Sequence, residues 1–284
     1  MTGDANSSQR AFWNSDFGAK WVTFADDLEL LHAPMNEPLL DRAGISPGMR
    51  VLDIGCGSGS VARRAAEVTG INGAVTAVDI SEMLLETARQ TRSADHSAPI
   101  DYMLADAQTY GFSPAEFDRV VSRMGVMFFA DPVAAFANLL RAARPGAVFA
   151  AVVWRRGEAN PWFQIPTEAA IRHLGPVDTD PHAPGPLAFA EVDRTVAILQ
   201  AAGWEDVRGD PMEVRLETRG SSENAAMSIG ALGPAARIMN AKGATSAQAA
   251  SIVKDIAVGF RQFETAQGLR VPVTMTLLSA TAPQ

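Results

Sequence analysis

An acidic residue followed by three alternating glycines is the part of this sequence best suited to chemistry. Asp53 closes an apolar run, and Gly55, Gly57 and Gly59 follow it in a turn that leads into a helical pattern from Ser60. Glycine allows a sharp turn and lets a ligand approach the backbone closely. The start of the helix adds free N–H groups that face such a ligand. The stretch therefore predicts a nucleotide-cofactor site in a strand–turn–helix unit.

The spacing of the glycines distinguishes between cofactors. Gly55 and Gly57 fit the first two positions of the dinucleotide fingerprint G-x-G-x-x-G, but Ser60 occupies the last position and the third glycine comes one residue early, at Gly59. Asp79 ends the next predicted strand, where a carboxylate accepts hydrogen bonds from the ribose hydroxyls of any unphosphorylated adenosine. The pattern therefore indicates an adenosine cofactor without choosing among them.

The charge of Asp53 favours one candidate. A carboxylate at this place would repel a pyrophosphate and attract an ammonium group. This favours S-adenosylmethionine, whose tail is a cationic amino acid.

Two other classes of protein remain open. One is an NAD(P)-dependent oxidoreductase, although the only tyrosines, Tyr102 and Tyr110, do not form a Tyr-x-x-x-Lys pair. The other is a catalytically silent cofactor-binding protein on the same fold.

Apolar runs that alternate with helical patterns must position these residues. Strands spaced by helices pair in parallel through right-handed crossovers, which predicts an α/β doubly wound sheet. An amphipathic pattern over 11–31 predicts one or two further helices, and a polar, disordered tail is predicted at 1–8. The predicted strands are 50–54, 74–79, 100–104, 117–123, 146–154, 204–217 (a strand pair or one bent strand) and 269–280. The predicted helices are 35–43, 60–69, 81–92, 132–143, 163–174, 191–202 and 221–265.

The composition restricts the class of partner. The chain has 284 residues, of which 47% are hydrophobic, and a net charge of −8. A protein that binds nucleic acid normally needs a basic face, so no nucleic-acid partner is predicted. Residues 1–10 lack the apolar core of a secretory signal, and no stretch is long enough for a membrane span. We therefore expect a cytoplasmic protein without membrane insertion.

The cysteine and histidine contents argue against a metal site. Cys56 is the only cysteine, which excludes a disulfide within the chain and a cysteine-based metal site. The four histidines are not spaced as metal ligands, and a loop or surface role is predicted for each of them. They are His32, His96, His173 and His182.

The motifs together resemble a known family. The stretch Val51–Gly59, the acid Asp79, the pair Asp106-Ala107 and the segment Ser122–Pro132 are similar to class I S-adenosylmethionine-dependent methyltransferases. The similarity is greatest to a bacterial small-molecule branch related to the methyltransferases of ubiquinone and menaquinone biosynthesis. It implies a Rossmann-like, doubly wound, seven-stranded sheet of order 3-2-1-4-5-7-6, with an antiparallel last strand and a helical cap.

The resemblance also implies a role for each site residue. Asp53 would hold the amino group of the methionine tail, Asp79 the ribose hydroxyls, and Asp106 would accept from the adenine amino group. Ser122 and Arg123 would face the methionine tail or the substrate. The remaining predicted cofactor-binding residues would form the turn or flank the adenine, and they are Gly55, Cys56, Gly57, Gly59, Ile80, Met83, Ala107 and Gln108.

The remainder of the chain is expected to select the substrate. We predict a single domain over 1–284, in which an N-terminal helical lid (9–45) and two cap insertions (155–190 and 221–266) surround a cofactor-binding core (46–154). Apolar cap residues such as Trp162, Phe163 and Met227 predict a hydrophobic or aromatic small molecule. The expected reaction is methyl transfer to an O, N or C acceptor by a monomer or homodimer, and no catalytic residue can be identified from the sequence.

Overall fold

A computed structural model describes residues 6–155, 160–178 and 180–284. One twisted sheet forms its centre, in the order β3-β2-β1-β4-β5-β8-β6, and the short β7 pairs with β8 beside it. The strands are β1 (Arg50–Ile54), β2 (Ala74–Asp79), β3 (Ile100–Leu104), β4 (Phe117–Arg123), β5 (Ala143–Trp154), β6 (Glu205–Glu217), β7 (Glu264–Thr265) and β8 (Gly268–Thr281).

The order and direction of the strands confirm the predicted architecture. The strands β1 to β5 pair in parallel, whereas β8 runs antiparallel to both β5 and β6. The short β7 has only two residues, so β8 corresponds to strand 7 of the predicted order 3-2-1-4-5-7-6. It lies between β5 and β6, as predicted. Residues 149–154 of β5 are all buried, as expected for a central strand covered on both faces.

Helices cover both faces of the sheet. Twelve α-helices occur in the described residues, and three of them replace the one or two predicted over 11–31. They are α1 (Ser7–Trp13), α2 (Asp16–Thr23), α3 (Ala25–His32), α4 (Asn36–Ala43), α5 (Ser60–Thr69), α6 (Glu82–Gln90), α7 (Pro132–Ala142), α8 (Pro161–Leu174), α9 (Val192–Ala201), α10 (Ser222–Leu232), α11 (Pro234–Lys242) and α12 (Ser246–Phe260).

Local sequence signals explain where several helices begin. The Ser81 hydroxyl accepts from the Leu84 N–H at 3.4 Å and caps α6. Asp131 caps α7 in the same way, and Pro132 occupies its first turn, where a missing N–H costs nothing. Ser221 and Thr245 form capping boxes at the starts of α10 and α12. Ser81, Pro132 and Ser221 mark predicted boundaries, whereas Thr245 begins a separate helix within the helical stretch predicted over 221–265, which the structure divides into α10, α11 and α12.

The predicted N-terminal tail differs from the structure. The prediction of a disordered tail at 1–8 is wrong for residues 6–8, because Asn6 is buried and α1 starts at Ser7. Residues 1–5 of that tail lie outside the described residues, as do 156–159 and 179 of the predicted cap segment 155–190.

Within the described chain, no helix combines the length and apolar character needed to cross a membrane.

Candidate functional site

A cavity of about 1330 Å³ lies at the carboxyl ends of β1, β2, β4 and β5. This edge, where neighbouring strands diverge, is where open α/β sheets bind ligands. The N-terminal helices and the helices α8, α10 and α11 enclose the opposite side. Nine of the thirteen predicted cofactor residues line the cavity: Asp53, Gly55, Cys56, Gly57, Asp79, Ile80, Asp106, Ala107 and Arg123.

Two of the other four predicted residues, Ser122 and Gly59, lie beneath the cavity lining. The Ser122 hydroxyl donates to the Ile54 carbonyl at 2.8 Å and accepts from the Val126 N–H at 3.2 Å. It therefore ties the loop after β4 to the end of β1. Gly59 has φ +81°, and a Cβ there would lie 2.6 Å from the Tyr102 hydroxyl. Its lack of a side chain serves the turn and its packing.

The last two predicted residues support the cavity from behind. Met83 faces Gly18 of α2, and the neighbouring Leu84 lines the cavity in its place. The Gln108 side-chain carbonyl accepts from the Asp131 N–H at 3.0 Å. Both residues therefore hold elements that border the cavity.

The glycine turn is held against the loop after β4 by direct backbone contact. A Cβ on Gly125 would lie 2.5 Å from the carbonyl oxygen of Ile54 and 2.7 Å from the Gly55 Cα. Gly57 is different, since its φ is +55° and no atom lies within 4 Å of where its Cβ would be. The turn therefore uses Gly55 for close packing and leaves an open backbone surface at Gly57.

Asp79 joins the turn to the end of β2. Its carboxylate accepts from the Gly57 N–H and from the Ser81 N–H, both at 2.8 Å. Burial raises the pKa of Asp79, and these backbone donors oppose that rise. A carboxylate has about four lone-pair sites, so Asp79 can still accept from ligand hydroxyls.

Asp53 is a buried carboxylate without a hydrogen-bond partner. It is 1% exposed, and neither oxygen makes a hydrogen bond of normal geometry with the described residues. Burial raises its pKa to about 7; the positive charge of Arg123 and the weak approach of the Ala62 N–H oppose the rise, and the charge of Asp79 adds to it. A buried charge without a partner is costly, so such a group signals a place for a cationic ligand.

Arg123 lies at the same end of the cavity. Its guanidinium donates to the Asn36 side-chain oxygen at 2.7 Å and to the Ser60 hydroxyl at 3.4 Å, with Glu29 3.8 Å away. A guanidinium carries five N–H donors, so several remain for an anionic ligand. Together with Asp53, it makes this end of the cavity complementary to a zwitterion.

The other end of the cavity contains an acid that a distant residue holds in place. The Asn6 amide donates to both oxygens of Asp106, at 2.8 and 2.9 Å, and its carbonyl accepts from the Ala130 N–H at 2.9 Å. Asn6 is 2% exposed. Sequence reasoning missed it, because no periodic pattern marks a single asparagine that pairs a hundred residues away.

Aromatic rings from the first two helices, together with Phe128 after β4, form the wall opposite the glycine turn. Phe12 and Phe17 stack with ring centroids 4.3 Å apart, and Trp13 meets Phe128 edge-to-face at 5.2 Å. These four rings and Trp21 line the cavity. Edge-to-face and offset-stacked rings make a wall that is both rigid and apolar.

Unpaired polar atoms concentrate around the cavity. Among the described residues, nine buried side-chain N or O atoms lack a hydrogen-bond partner, and six of these belong to cavity-lining residues. Buried polar groups in proteins are normally paired, so this concentration indicates a binding site for a polar ligand. The six atoms belong to Gln9, Trp21, Glu29, Asp53 (both oxygens) and Thr218.

Comparison with known proteins agrees with this geometry. Residues 51–146 match the family model described as a methyltransferase domain. Residues 51–146 therefore carry a methyltransferase domain. The match runs from β1 through α7 to the start of β5, and it therefore includes the glycine turn and all three acids of the cavity.

Several curated proteins share this part of the chain. An aklanonic acid methyltransferase of Streptomyces sp. (strain C5) is 39% identical over 105 residues, which cover 37% of this chain and 48% of that protein. A ubiquinone/menaquinone biosynthesis C-methyltransferase of Shewanella piezotolerans is 30% identical over 117 residues, covering 41% and 47%. An uncharacterized Mycobacterium bovis protein is 40% identical over 126 residues, covering 44% of each. The matched part therefore spans just under half the length of these relatives.

Solved structures share the fold over most of the chain. A phosphoethanolamine N-methyltransferase of Haemonchus contortus, in complex with S-adenosyl-L-methionine, has a TM-score of 0.58 at 18% identity and covers 99% of this chain and 60% of that one. A [4+2]-cyclase has a TM-score of 0.53 at 20% identity and covers 88% and 80%. The same fold therefore serves different reactions, and the site residues must carry the functional argument.

Proposed function

We propose that this chain is an S-adenosylmethionine-dependent methyltransferase whose acceptor is the O, N or C atom of a small apolar or aromatic molecule. The observation that carries the proposal is the buried Asp53 carboxylate, which makes no hydrogen bond of normal geometry with the described residues and lines the same cavity as the open backbone of Gly57. An ammonium group would remove the cost of this buried charge, whereas a pyrophosphate would increase it.

In this proposal the methionine tail lies between two charged side chains. Asp53 would hold the ammonium group, and the free donors of Arg123 would hold the carboxylate. Arg123 is oriented by Asn36 and Ser60, so its guanidinium has little freedom to lose when the ligand binds. This pairing sharpens the expectation that Arg123 faces either the tail or the substrate.

The adenosine part would extend along the ends of the next two strands. Asp79 would accept from the ribose hydroxyls, and Asp106 from the adenine amino group. Ile80 and Ala107 line the cavity beside these acids and would flank the adenine ring. When bound, the cofactor would supply an electrophilic methyl group on a sulfonium.

The three parts of the chain would have different roles in binding. The core at 46–154 holds the cofactor, the lid at 9–45 supplies the aromatic wall, and the caps at 155–190 and 221–266 enclose the acceptor. Cap residues Trp162 and Met227 line the cavity, which supports an apolar acceptor. Catalysis would come mainly from positioning and from excluding water, since well-oriented reactions gain about 7–11 kcal/mol in this way.

Two named relatives support a small organic acceptor. One is an aklanonic acid methyltransferase and the other a C-methyltransferase of ubiquinone/menaquinone biosynthesis. The two names refer to methyltransferases of different molecules, so they do not identify which atom of the substrate would accept the methyl group here. A small molecule that enters the cavity is the substrate that we propose.

Calorimetry with S-adenosylmethionine, S-adenosylhomocysteine and NAD tests the proposed cofactor. We expect the two sulfur ligands to bind and NAD not to bind. Asp53→Asn should weaken S-adenosylmethionine by about 10- to 150-fold, because a hydrogen bond to a charged group contributes roughly 1.5–3 kcal/mol. The control is Asp41→Asn, which removes an exposed carboxylate.

The outcomes separate the competing classes. Binding of NAD alone would replace the proposal with a nicotinamide-dependent oxidoreductase. A protein that binds S-adenosylmethionine, but transfers no labelled methyl group to any molecule in a metabolite extract, would be a silent cofactor-binding protein.

A further inference from the structure

His32 is a buried histidine that lines the cavity. It is the last residue of α3 and is 6% exposed, so the predicted surface role is wrong for this residue. Its ring nitrogens make no hydrogen bond to the described residues, although the side chain borders the cavity. Buried imidazoles normally have a partner for at least one nitrogen, so this one is available to a ligand.

The surroundings of His32 fix its orientation and its charge. The Trp21 ring stacks on the imidazole with centroids 6.1 Å apart and planes 17° apart, which restricts rotation of the ring. Burial, followed by the positive charge of Arg123, lowers the pKa of His32 to about 3. The imidazole is therefore neutral at physiological pH, with one nitrogen able to accept a proton and the other able to donate one.

The other three histidines have different environments. His173 contacts Asp255 at 3.1 Å, and His182 contacts Glu191 at 3.4 Å. His96 is exposed. None of these three lines the cavity that the described residues form. His32 is therefore distinguished by its position, and the others serve as controls for it.

We propose that His32 recognises the acceptor substrate by accepting a hydrogen bond from its reacting hydroxyl or N–H group, and that it takes up this proton during methyl transfer. The proposal rests on the proposed methyltransferase function. It adds a substrate class, namely acceptors with a neutral, proton-bearing oxygen or nitrogen on an apolar or aromatic frame.

The proton balance is simple. The acceptor atom uses a lone pair to form a bond to the methyl carbon, and the carbon–sulfur bond breaks with its electron pair remaining on sulfur. The acceptor atom gains positive charge as its new bond forms, which makes its own proton strongly acidic. A weak base such as His32 can therefore accept that proton, and it then releases it to solvent.

The test uses protein labelled with ¹⁵N in its histidine rings and saturated with S-adenosylhomocysteine. Two probes are added: 2-naphthol, which carries a hydroxyl proton, and 2-methoxynaphthalene, which has the same frame without that proton. Ring resonances are assigned with the exposed-site variants His96→Gln, His173→Gln and His182→Gln, so the assignment does not depend on a substitution inside the cavity.

We expect the His32 resonances to move with 2-naphthol and to stay in place with 2-methoxynaphthalene. His32→Gln should bind 2-naphthol roughly fivefold more weakly, with unchanged affinity for S-adenosylhomocysteine, and His173→Gln should match the unmodified protein. Equal responses to the two probes, or static His32 resonances in protein that binds S-adenosylhomocysteine, would overturn the role of His32. Failure to bind S-adenosylhomocysteine would instead overturn the proposed function.

Discussion

The two walls of the cavity are built in different ways. One wall consists of backbone turns and carboxylates at the ends of β1, β2 and β4, and the sheet itself fixes their positions. The opposite wall consists of rings and apolar side chains on α1, α2, α8 and α10, which come from distant parts of the chain. The first wall follows from strand topology, whereas the second depends on how separate helices pack. We therefore expect substitutions in the two walls to have different effects.

The largest effect is expected from the buried charge of the first wall. The pKa of Asp53 is raised from 3.8 to about 7, so the folded protein holds this proton more tightly than the unfolded chain does. Without ligand, the stability that the protonated form contributes is therefore lost as the pH rises from about 4 to 7, by at most roughly 1.4 kcal/mol per pH unit. Asp53→Asn should remove this loss, so at pH 8 the variant should unfold at a higher urea concentration than the unmodified protein.

The Asp53 experiment has an internal control. Asp41→Asn removes a negative charge at an exposed position, so it controls for the change in net charge. If Asp53→Asn and the unmodified protein show parallel pH dependence, the carboxylate is not desolvated as described.

The next largest effect concerns the backbone contact within the first wall. Gly125→Ala should lower the free energy of unfolding by about 1–3 kcal/mol, because its Cβ would lie 2.5 Å from the Ile54 carbonyl oxygen and force the two loops apart. Binding of S-adenosylhomocysteine should also be lost. Gly111→Ala is the matched control, since no atom lies within 4 Å of the position that its new methyl group would occupy. Urea unfolding that does not distinguish the two variants would contradict the close contact.

A substitution in the second wall should affect binding more than folding. A Cβ on Gly18 would lie 2.0 Å from the Trp13 carbonyl oxygen, so Gly18→Ala should separate α1 from α2 and disturb the aromatic wall. We expect tryptophan fluorescence to change and S-adenosylhomocysteine to bind about tenfold more weakly, a loss of ~1.4 kcal/mol. Ala19→Ser, at an exposed position of the same helix, is the control. Unfolding as severe as in Gly125→Ala would show that the two walls are not separable.

The smallest effect is expected where the two walls meet. Asn6→Ala removes the two hydrogen bonds to Asp106 and should weaken S-adenosylhomocysteine binding by about fivefold, the contribution of roughly 1 kcal/mol expected for such bonds. Ser8→Ala, in an exposed position, should leave binding unchanged. Tighter binding by Asn6→Ala in calorimetry would show instead that Asn6 competes with the ligand for Asp106.

The difference between the walls also explains what the sequence could reveal. Helix α5 has the predicted limits of 60 and 69, and β1 to β4 have their predicted limits, because glycines and acids mark the ends of these elements. His32 and Asn6 carry no such local signal. Their burial results from contacts with Trp21 and Asp106, which belong to other elements of the fold. Helix α12 ends at Phe260 and a 3₁₀-helix continues over Arg261–Phe263, but the last two residues of the predicted helix form β7, whose pairing with β8 is a tertiary effect.

The place of β8 in the sheet has a consequence for the order in which the protein can be completed during synthesis. Strand β6 is hydrogen-bonded to β8, and β8 separates it from β5 within the described sheet. Because the chain is made from its N-terminus, β6 emerges before its neighbour β8 exists. The part of the sheet that can form earlier therefore ends at β5, and residues 268–281 must join both β5 and β6 before the sheet is complete.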